Sequence, residues 1–393
     1  MEELLYQYNP WWEGAEFVAD VRPRRRYVDR LVDVLSEKRV VLLSGLRRVG
    51  KSTIMRLVAD ALIGQGTLPQ AILYVSLDDY VLRRNSILDV VTTFRQIHKL
   101  SVDDPVVLLL DEVTAKDDFH QQLKTLIDRE RVAIIAAASS SSLLKDHQAL
   151  LTGRSTTVEV QPLAFEEYLG FRGIEIPRRD YHLLDTYFRD YVRGGGLPEH
   201  VLSPRRDYLM NLVDDIIQKD ITAFHGLRDH QVVRDYFSLL MERSGKQVSI
   251  NKLGNILGLS PDTSRRYLGY FQDTYLVHLV PRWGKTNERI LSPKKVYACD
   301  LGIKHLFIGD RDWGSYFENY VYLQLRRYQE VYYVRSGEQE LDFLTSDKTL
   351  IEAKYNAELE GKQKDAFDAF PATRKHVLKS VRDIDVIDGI WEA

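Results

Sequence analysis

The stretch Val40-Val-Leu-Leu-Ser-Gly45-Leu-Arg-Arg-Val-Gly50-Lys51-Ser52-Thr53 predicts a buried strand, a tight glycine loop and a helix that opens at Ser52. Its spacing, G-x-x-x-x-G-K-S, is that of a phosphate-binding loop (P-loop). Gly45 and Gly50 let the backbone turn its N–H groups toward phosphate oxygens, and the Lys51 ammonium reaches the β- and γ-phosphates of ATP. We expect the Ser52 hydroxyl to ligate Mg²⁺ and the helix dipole to favour the phosphates. The predicted nucleotide-binding residues are Gly45, Leu46, Arg47, Arg48, Val49, Gly50, Lys51, Ser52 and Thr53.

Apolar and amphipathic segments alternate on both sides of this loop. Continuous apolar strands separated by helices indicate a parallel sheet that is covered on both faces. Ligands of such sheets bind at the carboxyl ends of the strands, where Gly45 and Asp111 both fall. The other predicted strands are 71–76, 105–112, 132–138 and 156–160, and the predicted helices are 27–38, 54–63, 86–99 and 119–131.

The apolar run that ends in Asp111-Glu112 supplies the second half of the predicted site. We expect Asp111 to hold the Mg²⁺ shell, directly or through water, and Glu112 to orient and deprotonate the attacking water. An acidic pair in a surface loop at a strand end is the alternative. Glu112, together with the additional strand between the P-loop and this pair, indicates the branch of P-loop ATPases with a catalytic glutamate and argues against a kinase of small molecules.

Three further segments are candidates for the same site. The serines 139–142 follow a predicted strand, and one of them would sense the γ-phosphate and the lytic water; a flexible serine turn is the alternative. Arg154 would supply positive charge to the transition state across a subunit interface, unless it is a surface arginine. The arginines at 22, 24, 25 and 26 either form a solvated helix entrance or lie near the nucleotide or a neighbouring subunit.

The composition is that of a globular protein: 393 residues, 44% hydrophobic and 28% charged, with a formal net charge of −3. This charge does not demand a nucleic-acid partner, although a local basic region can bind one. The single cysteine, Cys299, excludes an intramolecular disulfide and a cysteine-based zinc site and fits a cytoplasmic location. No secretory signal is visible, and no apolar run approaches the ~20 residues of a membrane span, so we expect no membrane partner.

Residues 1–161 are therefore predicted to be a P-loop ATPase domain with its lead-in, and the helical pattern of 162–244 a lid and linker. Residues 245–295 predict a winged helix-turn-helix, because the turn 258–261 joins two short helices and a strand or wing follows. This segment contains nine Lys or Arg and three Asp or Glu, a net of +6. That excess suggests a phosphate-facing surface, and a winged helix used only for packing is the alternative. The DNA-binding candidates on the second helix are Arg265 and Arg266.

A second α/β pattern carries a set of charged residues near the carboxyl end of the chain. Glu352 and Lys354 share a face of one predicted strand, and Asp342 on the neighbouring strand can meet them. We expect Asp342 and Glu352 to ligate Mg²⁺ or Mn²⁺, with Glu318 as an outer ligand. Lys354 would lower the pKa of a metal-bound water or stabilise phosphate charge. Charges on solvated strands are the alternative. The domain is 296–393, with a helix at 313–328 and strands at 330–335, 340–344 and 350–354.

These motifs together resemble a family of archaeal and bacterial AAA-type ATPases, in which a P-loop domain is followed by a winged helix and a restriction-endonuclease-like domain of unknown function. The resemblance spans nearly the whole chain, and the P-loop is its most specific part. The matching stretches are Gly45–Thr53, Leu108–Glu112, Ser139–Leu143, Leu151–Arg154, Pro162–Leu169, Gly194–Glu199, Phe317–Glu318, Leu341–Phe343 and Ile351–Lys354.

This resemblance implies an α/β fold class: a P-loop NTPase parallel sheet, a helical lid and winged helix-turn-helix, then a restriction-endonuclease-like α/β domain. It also implies ATP binding and hydrolysis and a homo-oligomer, such as a ring. Two departures matter. Ala136-Ala137-Ala138-Ser139 replaces the usual Thr-Gly-Ser before the serine run, so a γ-phosphate sensor there must be a serine or be absent. Thr114 replaces the usual glutamine after the catalytic glutamate, which would alter coupling to a partner.

Two functions from different classes follow. The first is a Mg²⁺-dependent ATPase that acts on DNA, in which the carboxyl-terminal domain cuts or grips nucleic acid. The second is a regulatory switch in which the nucleotide controls oligomerisation and the nuclease-like domain only binds. A helicase-like motor is a weaker third hypothesis, because no further helicase motif is evident. Metal-dependent strand cleavage that is lost in Asp342→Ala separates the first hypothesis from the second.

Overall fold

The computed structural model describes residues 1–15, 21–35, 40–139 and 155–391. The chain divides into two units, Met1–Gln161 and Pro162–Ala393. The first unit ends where the predicted ATPase domain ends. The second unit contains all three of the other predicted domains.

The first unit is built on a five-stranded sheet with the order β2-β3-β4-β1-β5, in which all four neighbouring pairs are parallel. Nearly every residue of β1 to β3 is buried, which is the pattern of strands covered on both faces. The predicted parallel α/β sheet is therefore confirmed. Its strands are Val40–Ser44 (β1), Ile72–Ser76 (β2), Val106–Asp111 (β3), Val132–Ala137 (β4) and Ser155–Glu159 (β5).

The helix Ile87–His98 of this unit begins at a capping box, in which the Asp89 N–H donates to Ser86 Oγ at 3.0 Å and the Ser86 N–H donates to Asp89 Oδ2 at 2.9 Å. The helices of the first unit are Glu2–Tyr8 (α1), Arg25–Leu35 (α2), Lys51–Gly64 (α3), Ile87–His98 (α4) and Phe119–Arg129 (α5).

An amino-terminal segment covers the exposed edge of the sheet at β2. The Asn9 side chain donates to the carbonyl of Tyr74 at 2.9 Å and accepts from its N–H at 2.6 Å. The indole N–H groups of Trp11 and Trp12 both donate to the carbonyl of Ile72, at 3.4 and 2.9 Å. Side chains thus occupy the backbone groups that an edge strand would leave free for another chain.

Helices dominate the first part of the second unit. Within the predicted helical lid and linker, the chain is α-helical over Tyr208–Asp215 and continues as π-helical turns over Ile216–Ala223, a difference that apolar periodicity does not register. The helices are Phe165–Arg172 (α6), Leu184–Gly194 (α7), Pro198–Leu202 (α8), Tyr208–Asp215 (α9) and His230–Glu242 (α10).

The glycine run after α7 packs against a buried aspartate. Asp300 Oδ2 accepts from the Gly196 N–H at 2.6 Å, and its Oδ1 accepts from the Ile303 N–H at 3.0 Å. A Cβ atom on Gly302 would lie 2.5 Å from the backbone nitrogen of Gly195. The stretch Gly194–Glu199, which carries part of the family resemblance, is therefore a place where two stretches of backbone touch.

An antiparallel three-stranded sheet with the order β6-β8-β7 follows. Helix α12, Pro261–Asp273, begins at the end of the predicted turn 258–261, and Ser260 Oγ caps it by accepting from the Thr263 N–H at 3.2 Å. The predicted domain boundary at 295/296 falls inside β8, because this strand pairs with both β6 and β7. The elements are Gln247–Val248 (β6), Ile250–Leu257 (α11), Pro261–Asp273 (α12), Val277–Val280 (β7), Thr286–Leu291 (α13) and Lys294–Ala298 (β8).

A four-stranded mixed sheet with the order β12-β11-β10-β9 completes the unit; its β11/β12 pair is parallel and the other pairs are antiparallel. Leu341, Leu344 and Leu350 bury one face against Phe367. The elements are Leu301–Ile308 (α14), Trp313–Leu325 (α15), Val331–Ser336 (β9), Gln339–Thr345 (β10), Thr349–Ala353 (β11), Gly361–Ala369 (α16), Arg374–Leu378 (β12) and Asp385–Trp391 (α17). Across the described ranges, no helix combines the length and apolarity needed to cross a membrane.

Candidate functional sites

The loop between β1 and α3 has the backbone that phosphate binding needs. Gly45, Arg48 and Gly50 all have positive φ angles, 138°, 63° and 94°. A Cβ atom on Gly45 would lie 2.2 Å from the carbonyl oxygen of Val160, so the position excludes any side chain. The loop therefore curls tightly over the end of β5.

Lys51 begins helix α3, one residue before the predicted start. Its Nζ atom donates to the carbonyls of Gly45 and Leu46, at 2.9 and 3.1 Å. The ammonium is thus folded into the loop at the position where the N–H groups of the first helical turn are free. A bound phosphate would have to replace these two carbonyl oxygens as the partner of Lys51.

A buried arginine supports this loop from outside. Arg24 donates to the carbonyl of Gln161 at 2.8 Å and to that of Val49 at 3.3 Å, and its guanidinium lies 4.6 Å from the centre of the Tyr27 ring. The arginine run thus contains one residue whose side chain contacts the P-loop backbone. The only signal in the sequence was that this arginine run lies where α2 begins. The run does not show that Arg24, rather than a neighbouring arginine, contacts the loop.

Asp111 and Glu112 lie at the carboxyl end of β3, as predicted. Asp111 is 2% exposed; its Oδ2 accepts from the Tyr74 hydroxyl at 3.1 Å and its Oδ1 from the Glu112 N–H at 3.0 Å. Burial, and then the charge of Asp111, raise the pKa of Tyr74, so the phenol remains a donor. The Ser52 hydroxyl and the Asp111 carboxylate are oxygen ligands of the kind that Mg²⁺ takes beside substrate phosphates, so this pair fits a magnesium site.

Glu112 has a left-handed backbone, φ 47° and ψ 48°, which is uncommon for a residue with a side chain. Its Oε1 accepts from Ser139 Oγ at 2.8 Å, so the first residue of the serine run contacts the predicted base. Burial raises the pKa of Glu112, and the charge of Lys51 opposes the shift. A carboxylate with a raised pKa is a stronger proton acceptor. The other predicted residues of this region, 140–142 and Arg154, lie outside the described residues.

The predicted carboxyl-terminal residues also lie together. The Asp342 N–H donates to Glu352 Oε2 at 3.1 Å, and the Ala353 N–H donates to Asp342 Oδ2 at 3.1 Å. Lys354 follows the end of β11 rather than lying within it, and its Nζ is 3.2 Å from Glu352 Oε1. Burial, and then Asp342, raise the pKa of Glu352 to about 8.

The centre of this cluster is a lysine that the sequence analysis missed. Lys295 of β8 is 1% exposed, and its Nζ lies 3.0 Å from Glu318 Oε1, 2.8 Å from Glu340 Oε1 and 3.4 Å from Asp342 Oδ1. Tyr297, two residues along the same strand, donates to Glu318 Oε1 at 2.7 Å. Because side chains alternate along a strand, Lys295 and Tyr297 of β8 lie on one face. This spacing was the only sign in the sequence that the two residues act together.

The ionisation of the cluster reflects this cation. Burial, and then Asp342, raise the pKa of Glu318, while Lys295 lowers it. Burial alone would depress the pKa of Lys295, but the nearby Tyr297 and the carboxylates raise it well above its usual value. Within the described parts of the chain, no group of three or more His, Cys, Asp or Glu is arranged to hold a metal. The predicted metal role of Asp342 and Glu352 is therefore not supported, because an ammonium already satisfies the cluster.

The two predicted DNA-binding arginines lie on α12. The Arg265 side chain is 67% exposed and forms an ion pair of 3.1 Å with Asp262. Arg266 Nη2 donates to Thr263 Oγ1 at 3.4 Å. Arg265 also lines a groove of about 510 Å³, whose other wall includes Ile290 and Lys294.

Comparison with known protein families supports the P-loop fold of the first unit. Residues 37–169 match the family model described as AAA domain, and residues 185–313 match a domain of unknown function (DUF8612). The chain is 24% identical to an uncharacterized protein of Methanocaldococcus jannaschii, covering 88% of this chain and 81% of that one. It is also 24% identical to an uncharacterized protein of Haemophilus influenzae, covering 82% of this chain and 83% of that one.

Among solved structures, the chain is similar to the Saccharomyces cerevisiae Hsp104–ADP complex, with 16% identity and a TM-score of 0.33. That similarity covers 65% of this chain and 38% of the Hsp104 chain. The winged helix and the nuclease-like domain stay predictions. Residues 37–169 are thus similar to AAA domains in sequence, and the first unit, which contains most of them, has the parallel sheet and phosphate-binding loop of a P-loop NTPase.

Proposed function

We propose that this protein is a Mg²⁺-dependent ATPase that acts on DNA. The observation that carries the ATPase part is the pairing of Glu112 with Ser139 at the carboxyl ends of adjacent strands, β3 and β4. In the sheet, β4 separates β3 from the P-loop strand β1. With this order, the half-buried carboxylate of Glu112 lies at the same edge of the sheet as the phosphate-binding loop.

Each residue of this site has a distinct role in the proposed hydrolysis of ATP. Backbone N–H groups of the loop and the Lys51 ammonium bind the phosphate oxygens. Ser52 and Asp111 would hold Mg²⁺, which would supply positive charge to stabilise the phosphates. Glu112 accepts a proton from the attacking water, and Ser139 holds one oxygen of its carboxylate so that the other is free for this role. Arg154 is proposed to supply charge from a neighbouring subunit.

Steady-state ATP hydrolysis tests the first part. We expect Lys51→Ala to reduce the rate by ~100-fold or more, because the β- and γ-phosphates lose their point charge. A matched control is Lys99→Ala, which removes an exposed lysine at the end of α4 and should leave the rate unchanged. Hydrolysis by Lys51→Ala at the wild-type rate would contradict the proposal.

The DNA part is supported by the basic character of 245–295 and by the exposed Arg265 at the groove beside α12. We infer that α12 is the recognition helix of a winged helix and faces phosphates. From α10 to β8 the order is helix, strand, two helices, strand, short helix and strand, which is consistent with that fold apart from the short helix α13 between the last two strands. Lys295 contacts Asp342, a predicted metal ligand, at 3.4 Å. This contact favours a second unit that binds DNA without cutting it, as in the regulatory hypothesis.

Binding of fluorescein-labelled duplex, single-stranded and branched DNA, measured by anisotropy, tests this part. We expect Arg265→Ala/Arg266→Ala to weaken binding at least ~10-fold and to reduce its salt dependence. Arg179→Ala, an exposed arginine elsewhere in the second unit, is the control. The same DNAs, incubated with Mg²⁺ or Mn²⁺, should stay intact; cleavage lost in Asp342→Ala would establish a nuclease instead.

A further inference from the structure

Most carboxylate oxygens around Lys295 already have a hydrogen-bond or ion-pair partner. Lys295 Nζ contacts Glu318, Glu340 and Asp342 at 3.0, 2.8 and 3.4 Å. The second oxygen of Glu340 accepts from Gln247 Nε2 at 2.6 Å, and that of Asp342 from the Ala353 N–H. The cluster therefore contains one buried cation and a nearly complete set of donors.

Glu352 is occupied in the same way. Its Oε2 accepts from the Asp342 N–H, and its Oε1 contacts both Lys354 and Gln363. The side chain of Glu352 is 0% exposed, so water does not compete with these contacts in the folded unit. No oxygen of this residue is left without a donor.

Strand pairing on both sides fixes the backbone of Lys295. The residue lies in the middle strand of the β6-β8-β7 sheet, opposite Gln247 on one side and Val280 on the other. Its side chain is 1% exposed, whereas the neighbouring Lys294 is exposed. A charged group held in this way is stabilised only by the carboxylates around it.

We infer that Lys295 is the resident cation of this carboxylate cluster, and that it excludes divalent metal ions from the oxygens they would need. An ammonium and a divalent ion would repel each other strongly at contact distance in a buried site. The inference deepens the proposed role of the second unit, because it gives a reason for binding without cleavage. It does not depend on ATP hydrolysis by the first unit.

The test is a titration of the nucleotide-free full chain with Mn²⁺, following free Mn²⁺ by electron paramagnetic resonance. We expect wild type and Asp342→Asn to bind Mn²⁺ equally weakly. Lys295→Met removes the charge but keeps an unbranched side chain, and should bind one Mn²⁺ at least ~10-fold more tightly than wild type. The gain should vanish in Lys295→Met/Asp342→Asn, and Lys294→Met should behave as wild type.

Thermal unfolding gives a second readout. Without metal, Lys295→Met should unfold several degrees below wild type, because three carboxylates lose their common partner. Mn²⁺ should raise its midpoint and leave that of wild type unchanged.

Tight Mn²⁺ binding by wild type that is lost in Asp342→Asn would overturn the inference. So would a folded Lys295→Met that gains no binding, or an equal gain in Lys294→Met. If Lys295→Met does not fold, the comparison of wild type with Asp342→Asn decides alone. ATP hydrolysis, measured separately, shows whether the proposed ATPase fails independently.

Discussion

Replacing Glu112 with glutamine should reduce steady-state ATP hydrolysis by ~100-fold or more while leaving ATP binding within about threefold of wild type. The amide keeps the shape of the side chain and can still contact Ser139, but it cannot accept a proton from water. Burial raises the pKa of Glu112, which suits a base that must take a proton near neutral pH. Binding depends instead on the loop and on Lys51, which the substitution does not touch.

The measurement is phosphate release together with equilibrium binding of a fluorescent ATP analogue. Asp103→Asn removes a carboxylate from the exposed turn before β3 and is the matched control, which should hydrolyse ATP as wild type does. Ser139→Ala should have a smaller effect than Glu112→Gln, since it loosens the carboxylate without removing it. If Glu112→Gln turned over ATP at near the wild-type rate, another group would have to be the base.

Replacing Gly302 with alanine should destabilise the second unit by about 3 kcal/mol or more, at the upper end of the cost of overpacking. The added Cβ atom would lie 2.5 Å from the nitrogen of Gly195 and 2.7 Å from the carbonyl carbon of Gly194. Both atoms belong to the backbone, so a change of side-chain rotamer cannot relieve the clash and the backbone itself must shift. The contact is further fixed by Asp300, which binds the N–H groups of Gly196 and Ile303.

Urea denaturation followed by tryptophan fluorescence measures this loss. The control is Gly269→Ala, in the interior of α12, where an added Cβ meets no atom within 4 Å. Because alanine is a better helix former than glycine, the control should be stabilised by ~0.5–1 kcal/mol. Equal stability of the two variants would show that the backbones at Gly195 and Gly302 separate without cost.

The first unit could be predicted from local patterns. The strands are short apolar runs, the P-loop has a fixed spacing, and Asp111 and Glu112 directly follow one of the runs. All of these signals lie within a few residues of the groups that they predict. The contact between Ser139 and Glu112 was anticipated only as a serine near the γ-phosphate, since two strand ends must meet before it can form.

The remaining features depend on contacts between distant parts of the chain. Lys295 was counted only as part of a basic segment, because nothing near it in sequence shows that it faces Glu318 and Asp342. Arg24 could not be separated from the other arginines of its run for the same reason. The net charge of a segment gives only its excess of cations over anions. Burial decides which of its cations face solvent and which, like Lys295, pair with buried carboxylates.

The segment around Asn9 has a consequence for assembly. Because Asn9 already fills both backbone positions of Tyr74, another copy cannot lengthen the sheet by adding a strand at β2. Subunits of a ring would have to meet through side chains on other faces. In the proposed ATPase, such contacts would form and separate as ATP binds and leaves, whereas continuous backbone pairing between subunits would resist that cycle. Substituting Asn9 would therefore leave the N–H and carbonyl of Tyr74 unpaired at the edge of the sheet. We expect the result to be aggregation through this edge rather than a loss of activity.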